Sequence, residues 1–427
     1  MRRRRVAVFG STGSIGRATL DVISRLPDRF EVSALACRGS VSALARQVRR
    51  FGVRRVAVTG RDACERARRL LEPDCTVAWG IEGLLEIAAD RRTDILVMAM
   101  SGTVGVLPVV AALERGRRVA IATKEILVSF GLPVMRLAAR HGAEVLPVDS
   151  ELAAIHQCLR GGEAGEVSRV ILTASGGPFR RNRPGRNATA RTVLRHPTWK
   201  MGRKITVDSA TLMNKGLEAI ETARLFDLPP DRVEAVIHPE SLIHSLVEFR
   251  DGSLVAQLAR ADMRLPIQYA LTWPERLASP VRPLRVPDLR QLNFEPILPG
   301  RFPCYGLARA ALASGPAATC ALNAANEVAV NAFLAGRLRF GDIPAVVAAT
   351  LRRFETAGRA PRNPGFRTLL GIERRAHELA CRLLAEQRIA PRHRDKTSPP
   401  ARRRRAGTLP PAPRRNPPPG ESTGAKK

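Results

Sequence analysis

A chain of 427 residues, 44% hydrophobic, is long enough for two or three domains, and with only 4% aromatics its cores must be mainly aliphatic. The formal charge of +31 invites a nucleic-acid partner. Arginine is spread along the whole chain, however, the densest basic runs sit at the ends, and aromatics to interleave a strand-binding face are scarce, which argues against nucleic acid. No apolar run is long enough to span a bilayer. Met1–Arg5 passes straight into Val6-Ala7-Val8-Phe9, which leaves no room for a signal-peptide core or a transit peptide. None of the seven cysteines forms a CxxC pair, so a reduced, cytoplasmic protein is expected.

Residues 1–148 read as an α/β unit. Strands are predicted at Arg5–Phe9, Val32–Ala36, Val56–Thr59, Thr76–Trp79, Ile95–Met100, Val119–Ala122 and Val145–Val148, with amphipathic helical stretches between most of them. That alternation is the signature of a parallel, Rossmann-like sheet. The first strand leads into Gly10-Ser11-Thr12-Gly13-Ser14-Ile15-Gly16 and then a helical pattern from Ala18. A glycine turn between strand and helix offers free N–H groups and a positive helix end to a pyrophosphate. The spacing is GxxGxxG rather than GxGxxG, and the strand–turn–helix context supplies the specificity. After the second strand, where NAD enzymes carry an acid for the ribose 2′-hydroxyl, the chain reads Cys37-Arg38-Gly39-Ser40. Arg38 and Ser40 suit a 2′-phosphate, so NADP(H) is the expected dinucleotide.

Residues 149–273 read as an α+β domain. Val148-Asp149-Ser150-Glu151 follows the last predicted strand; taken as extended, it turns Asp149 and Glu151 to the same side. One long helix is predicted over Ser209–Phe226, placing Asn214 and Glu218 on a common face with Lys215 nearby. Three carboxylates without a nearby Cys or His favour Mg²⁺ or Mn²⁺ over zinc, although a pair like Asp149 and Glu151 alone is more often made of surface or helix-cap residues. Between them lies Ser175-Gly176-Gly177-Pro178-Phe179, after a strand at Val170–Thr173. With Ser209, Asn214 and Lys215 it offers donors to a phosphate; alone it is a plain turn. Asp251-Gly252 marks a hairpin. Residues 274–303 are proline-rich and read as a linker, 304–389 as a helical bundle, and 390–427 as a basic, disordered tail with too little apolar surface to fold.

In this order, the strings GSTGSIG, Lys124-Glu125, PVDSE (147–151), SGGPF (175–179) and RHPTWKMGRKITVDSATLMNKGLE (195–218) resemble the 1-deoxy-D-xylulose 5-phosphate reductoisomerase family. So do HPESLIHS (238–245), DMRLPIQYA (262–270) and ALNAANEVAV (321–330), and the similarity runs from about residue 5 to 388. The resemblance implies a cytoplasmic bacterial enzyme of isoprenoid precursor synthesis. It would use NADPH and Mn²⁺ or Mg²⁺ to rearrange and reduce a small phosphorylated sugar, as a homodimer joined through the second domain. It implies Asp149, Glu151 and Glu218 as metal ligands, and Ser175, Ser209, Asn214 and Lys215 around the substrate phosphate. Lys124 and Ser150 would contact the substrate, and Thr12, Gly13, Ser14, Ile15, Glu125 and Gly202 the cofactor. His196, Trp199 and Met201 would belong to a lid.

The sequence departs from the family pattern at several points. Thr123 stands for the usual Asn, Ile126 for Ser, Leu152 for His, His156 for Phe, Thr198 and Lys200 for Asn and Ser in the lid, and Glu240 for Gln. Thr123 keeps one hydroxyl for the cofactor region and Ile126 loses one. Two other readings remain at this stage. A semialdehyde dehydrogenase would need a cysteine in a helix-starting loop, where none of the seven lies. A paralogue of altered activity would be marked by Thr123 and Ile126.

Overall fold

Runs of Val, Ile, Leu and Ala too apolar to face water become the interior strands of a parallel sheet covered on both faces. In the computed structural model, which describes residues 2–181, 185–195, 199, 201–355 and 361–387, seven such strands form one sheet. They are β1 Arg4–Phe9, β2 Phe30–Cys37, β3 Arg55–Val58, β4 Thr76–Trp79, β5 Ile95–Met98, β6 Arg118–Ile121 and β7 Val145–Pro147. All pair in parallel, in the order β4-β3-β2-β1-β5-β6-β7. Alternate residues of β1 and β5 serve opposite cores: Ala7, Phe9, Leu96 and Met98 belong to one, Val6, Val8, Ile95 and Val97 to the other. Strand order reverses between β1 and β5, and such a switch point opens the crevice in which doubly wound sheets bind ligands.

A second, mixed sheet contains β8 Val167–Ala174, β9 Val233–Ile237, β10 Ile243–Phe249, β11 Leu254–Leu258 and β12 Glu295–Pro296, ordered β11-β10-β8-β9-β12. The Asp251-Gly252 turn joins β10 to β11 as expected; Gly252 has φ 86°, and Asp251 Oδ1 accepts the Ser253 N–H at 2.9 Å. The proline-rich stretch is more than a connector, since β12 lies within it and closes one edge against β9. The helix Arg264–Thr272 leaves the second sheet and packs against the Ser14–Ser24 helix, entering the core beneath the first. Helices Pro303–Ser314, Pro316–Leu334, Ile343–Glu355 and Phe366–Gln387 follow, and the second of these is buried along most of its length. No helix among the described residues is long and apolar enough to cross a membrane. The basic segment 390–427 lies outside the described residues.

Two local expectations are corrected. The single helix predicted over Ser209–Phe226 is two, Arg203–Ala210 and Met213–Leu225, broken at Leu212 with φ 57°. Thr211 Oγ1 donates back toward Val207 O and accepts the Met213 N–H at 3.3 Å, competing with the helix ladder and forcing the turn. A left-handed leucine costs on the order of 1–2 kcal/mol, and strain of this kind collects at functional sites. Asp149-Ser150-Glu151 is also not extended. Asp149 is the N-cap of a helix over Ser150–Cys158, and its carboxylate accepts the Glu151 N–H at 3.3 Å.

Candidate active site

The helices beginning at Ser14, Lys124, Ser150, Arg203 and Met213 all present their N-terminal residues to one cleft of about 440 Å³. Converging helix N-termini make such a cleft attractive to anions. At one end is the glycine turn. A Cβ on Gly10, which has φ 82°, would sit 2.3 Å from Ala99 O, and one on Gly16 would sit 2.3 Å from Gly10 O. Only glycine lets β1 turn so tightly beneath the β5 loop, and Gly13, Ser14 and Ile15 line the cleft as a result. Ser11 turns inward, its hydroxyl donating to Gln47 Oε1 at 2.8 Å, while Thr12 O accepts from Arg17.

Beyond β2, Gly39 and Ser40 border a pocket of about 560 Å³ with Ser42, Arg46, Arg66 and Arg69. Arg38 is exposed and is not among its lining residues. Arg66 donates to Gly39 O, a basic contribution from the helix Arg61–Leu70 that the second-strand signal did not contain.

At the other end of the cleft, Asp149, Glu151 and Glu218 come together with one carboxylate oxygen from each within 4.8 Å of the others. Two ammonium groups are inserted among them. Lys124 Nζ lies 2.8 Å from Asp149 Oδ2 and 2.9 Å from Glu218 Oε1, and donates to Asn214 Oδ1 at 2.8 Å. Lys215 Nζ lies 2.8 Å from Glu151 Oε1 and abuts Glu218. Ser150 Oγ donates to Glu151. Burial alone would lower the pKa of Lys124 and of Lys215, but the surrounding carboxylates carry both above the usual lysine value. Burial works the other way on Asp149, which Lys124 and Lys215 nonetheless hold below its ordinary range.

Three carboxylates against two ammonium groups leave this site short of positive charge. Glu218 shows it: burial first, then the charges of Glu151 and Asp149, push its pKa up to about 7. Its Oε2 is buried and faces the Lys215 ammonium. A hard divalent cation fits this set, because it replaces the missing charge with oxygen ligands alone. One expected result follows from the sign of the shift. A proton on Glu218 competes with the metal, so Mg²⁺ affinity should rise as pH climbs from 6 to about 7 and level off above it. Calorimetric titrations at pH 6, 7 and 8 would read this; equal affinities at all three would refute it.

The phosphate-binding candidates also assemble. Gly176 and Gly177 have φ 80° and 63°, and Gly177 N–H donates to Ser175 Oγ at 3.2 Å. A Cβ on Gly177 would stand 2.8 Å from Ser209 O, so glycine is required for the Ser175 turn to lie against Ser209. The break at Leu212 starts the next helix at the cleft, where Asn214 and Lys215 occupy its first turn beside both serines. Gly216, further along, meets the Pro303–Ser314 helix, where a Cβ would be 2.4 Å from that of Ala308. Trp199, Met201 and Gly202 line the same cleft, while His196, Thr198 and Lys200 lie outside the described residues.

Thr123 and Ile126 have clear places. The Thr123 hydroxyl points inward to Met98 O and Met100 O at 3.3 and 2.5 Å, bracing the loop after β5, and Ile126 is fully buried in the apolar core. Leu152 is likewise a core residue, and His156 bonds Tyr269 Oη. Glu240 tethers Asn293 through both side-chain oxygens. Sequence reasoning missed His244, buried in the cleft wall with its pKa lowered by burial to about 4, so that it is neutral at physiological pH. It also missed Glu221, fully buried and with a pKa raised well above normal by burial and by Asp149. His244 lies in the HPESLIHS stretch and Glu221 three residues past NKGLE, but neither stands at a spacing that signals chemistry.

A parallel sheet with a glycine turn at its switch point, and an oxygen-only acid cluster beside a hydroxyl-and-lysine cradle, define a dinucleotide-dependent oxidoreductase working on an anionic substrate beside a hard cation. Comparison with known proteins narrows the class. Residues 6–131 match the family described as 1-deoxy-D-xylulose 5-phosphate reductoisomerase, and residues 145–226 and 258–379 match its two C-terminal domain families. The Pelotomaculum thermopropionicum enzyme of that name is 45% identical over 387 residues, which cover 90% of this chain and 99% of the relative. The crystal structure of the Zymomonas mobilis reductoisomerase in complex with NADPH superposes with a TM-score of 0.82 at 39% identity, covering 90% of this chain and 99% of that one. A reductoisomerase in complex with NADPH, fosmidomycin and magnesium gives a TM-score of 0.84 at 36% identity, with coverages of 90% and 99%. This chain belongs to the 1-deoxy-D-xylulose 5-phosphate reductoisomerase family.

Proposed function

We propose that this chain converts 1-deoxy-D-xylulose 5-phosphate and NADPH into 2-C-methyl-D-erythritol 4-phosphate and NADP⁺, with Mg²⁺ or Mn²⁺ held by Asp149, Glu151 and Glu218. The observation that carries the reading is one cleft that joins the glycine turn, the three carboxylates and the Ser175–Ser209–Lys215 cradle. A divalent cation bound there would act as a Lewis acid on the substrate's neighbouring oxygens. The protein's own part is to anchor and orient. Ser175, Ser209, Asn214 and Lys215 would grip the phosphate, and Lys124 and Ser150 would address the carbon skeleton. The rearrangement moves a carbon–carbon bond and leaves an aldehyde. NADPH held at the glycine turn would supply the hydride for the aldehyde carbon, and with a proton on its oxygen the aldehyde would be reduced as NADPH is oxidised. Trp199 and Met201 would close over the site and exclude water.

NADPH is favoured over NADH by the pocket past Ser40, where Arg46, Arg66 and Arg69 suit a 2′-phosphate. The homodimer reading is supported by β11, an open edge of the second sheet with Leu254 and Leu258 exposed. The buried positions of Thr123 and Ile126 favour activity over a silent paralogue, since neither change removes a group from the proposed metal or phosphate set. Purified protein with substrate, NADPH and Mn²⁺ or Mg²⁺ should consume absorbance at the nicotinamide band, with NADH at least tenfold poorer, as loss of one charge-assisted phosphate contact implies. No oxidation with either metal would sink the assignment.

A further inference from the structure

Lys204 is outside every role assigned above, yet its ammonium group joins two helices and, through Asp208, a third. It lies in the first turn of the Arg203–Ala210 helix, immediately after the cleft-lining residues Trp199, Met201 and Gly202. Its Nζ donates at 2.9 Å to Glu125 Oε1, on the helix that begins with Lys124, and at 2.9 Å to Asp208 Oδ2, one turn along its own helix. Asp208 is buried, and its other oxygen accepts from Asn326 Nδ2 at 2.8 Å, on the buried Pro316–Leu334 helix. The chain Glu125–Lys204–Asp208–Asn326 therefore runs from the cleft wall to the C-terminal helices without a gap.

We infer that Lys204 is a positioning residue for cofactor binding: it fixes the Glu125 carboxylate on the wall of the cleft that would hold the cofactor and ties it to the Arg203–Ala210 helix, with Asn326 holding the far end through Asp208. This rests on the NADPH reading above. Three observations carry it. The Glu125 side chain is nearly buried, lines the cleft and has one oxygen bound to Lys204, so the other is left to accept from a hydroxyl of the cofactor. Asp208 and Glu125 approach one ammonium from two elements, so neither can shift without breaking a charge-assisted bond. Asn326 is fully buried, so its amide cannot trade Asp208 for water. Lys204 itself need touch no reacting atom; it acts through Glu125.

The test is a double-mutant cycle on the full chain, read by NADPH titration of tryptophan fluorescence, by the separate KM values for NADPH and substrate, and by melting temperature. The wild-type chain must first bind NADPH; if it does not, the functional reading fails rather than this one. Lys204→Gln should weaken NADPH binding about tenfold, the size of one lost charge-assisted bond, while the substrate KM moves less than twofold. Lys204→Arg should restore most of the loss. Asn326→Ala, remote from the cofactor, should weaken NADPH in the same direction by about threefold, since coupled neighbours share the loss. In a Glu125→Gln background, Lys204→Gln should have no further effect on NADPH. Additive effects in that cycle would overturn the inference, as would equal loss for NADPH and substrate. If Lys204→Gln does not fold, Lys204→Arg and Asn326→Ala decide, and wild-type NADPH affinity in both overturns it.

Discussion

Glu218→Gln should abolish turnover while leaving the fold intact. Glutamine keeps the side chain's shape, and its amide oxygen still accepts from Lys124 and Asn214, the two hydrogen-bond partners of Glu218 Oε1. What disappears is one of three carboxylate charges in a site already short of a cation. The metal's contribution to transition-state charge is several kcal/mol, so kcat/KM should fall on the order of a thousandfold or more. Mg²⁺ titration should show binding lost, with NADPH affinity and melting temperature near wild type. Full activity in this variant would remove Glu218 from the ligand set. Removing the charge also relieves the electrostatic conflict that raises the Glu218 pKa, so in the absence of metal the variant should be at least as stable as wild type.

The second large effect is expected from Gly177→Ala. The added methyl carbon would sit 2.8 Å from Ser209 O, at a residue whose φ of 63° already disfavours alanine. The Ser175 turn and the Arg203–Ala210 helix must then separate, and Ser175 and Ser209 can no longer meet one phosphate. A displacement near 1 Å at an anchoring group costs on the order of a hundredfold in kcat/KM. The loss should appear chiefly in the substrate KM and in competition by inorganic phosphate. NADPH affinity should change far less, because the glycine turn at Gly10–Gly16 is on another strand and the Lys204–Glu125 and Asp208–Asn326 bonds hold the Arg203–Ala210 helix while the Ser175 turn gives way. Equal loss of cofactor and substrate affinity would count against a local phosphate site.

Much of this was legible in the sequence, for physical reasons. The inner strands of the first sheet were legible because strands buried on both faces must be continuously apolar, while the exposed edge strand β4 was read from its β-branched and aromatic residues. The carboxylates 149, 151 and 218 could be nominated because ligands repeat residue types at recognisable spacings, and the resemblance of NKGLE joined them. The backbone that delivers them was not legible. The extended reading of Asp149 fails because the residue caps a helix, and Asp before a helical pattern is itself a cap signal. The helix break at Leu212 could not be read, because leucine is a strong helix former and the turn arises from Thr211. β9 was missed because Glu234 interrupts a short apolar run after Pro229-Pro230, and its pairing with β8 is a tertiary choice. The Lys204–Asp208–Asn326 chain is tertiary too; nothing in 118 residues of separation between Asp208 and Asn326 points to their contact.

The core behind β1 and β5 is continuous. Ala7, Phe9, Leu96 and Met98 of the first sheet share it with Leu217 and Ile220 beneath the acid cluster and with Leu322, Val330 and Ile372 of the C-terminal helices. Among the described residues this apolar cluster is unbroken, and the Lys204–Asp208–Asn326 chain ties its parts together, so heat or denaturant should remove the first sheet, the acid cluster and the C-terminal helices in one transition. A fragment ending near residue 148 would bare Phe130, Val134 and Ala138 to solvent and aggregate rather than fold. Segments far apart in sequence thus share one apolar cluster, and a destabilising change in the distant helices should be felt at the cleft.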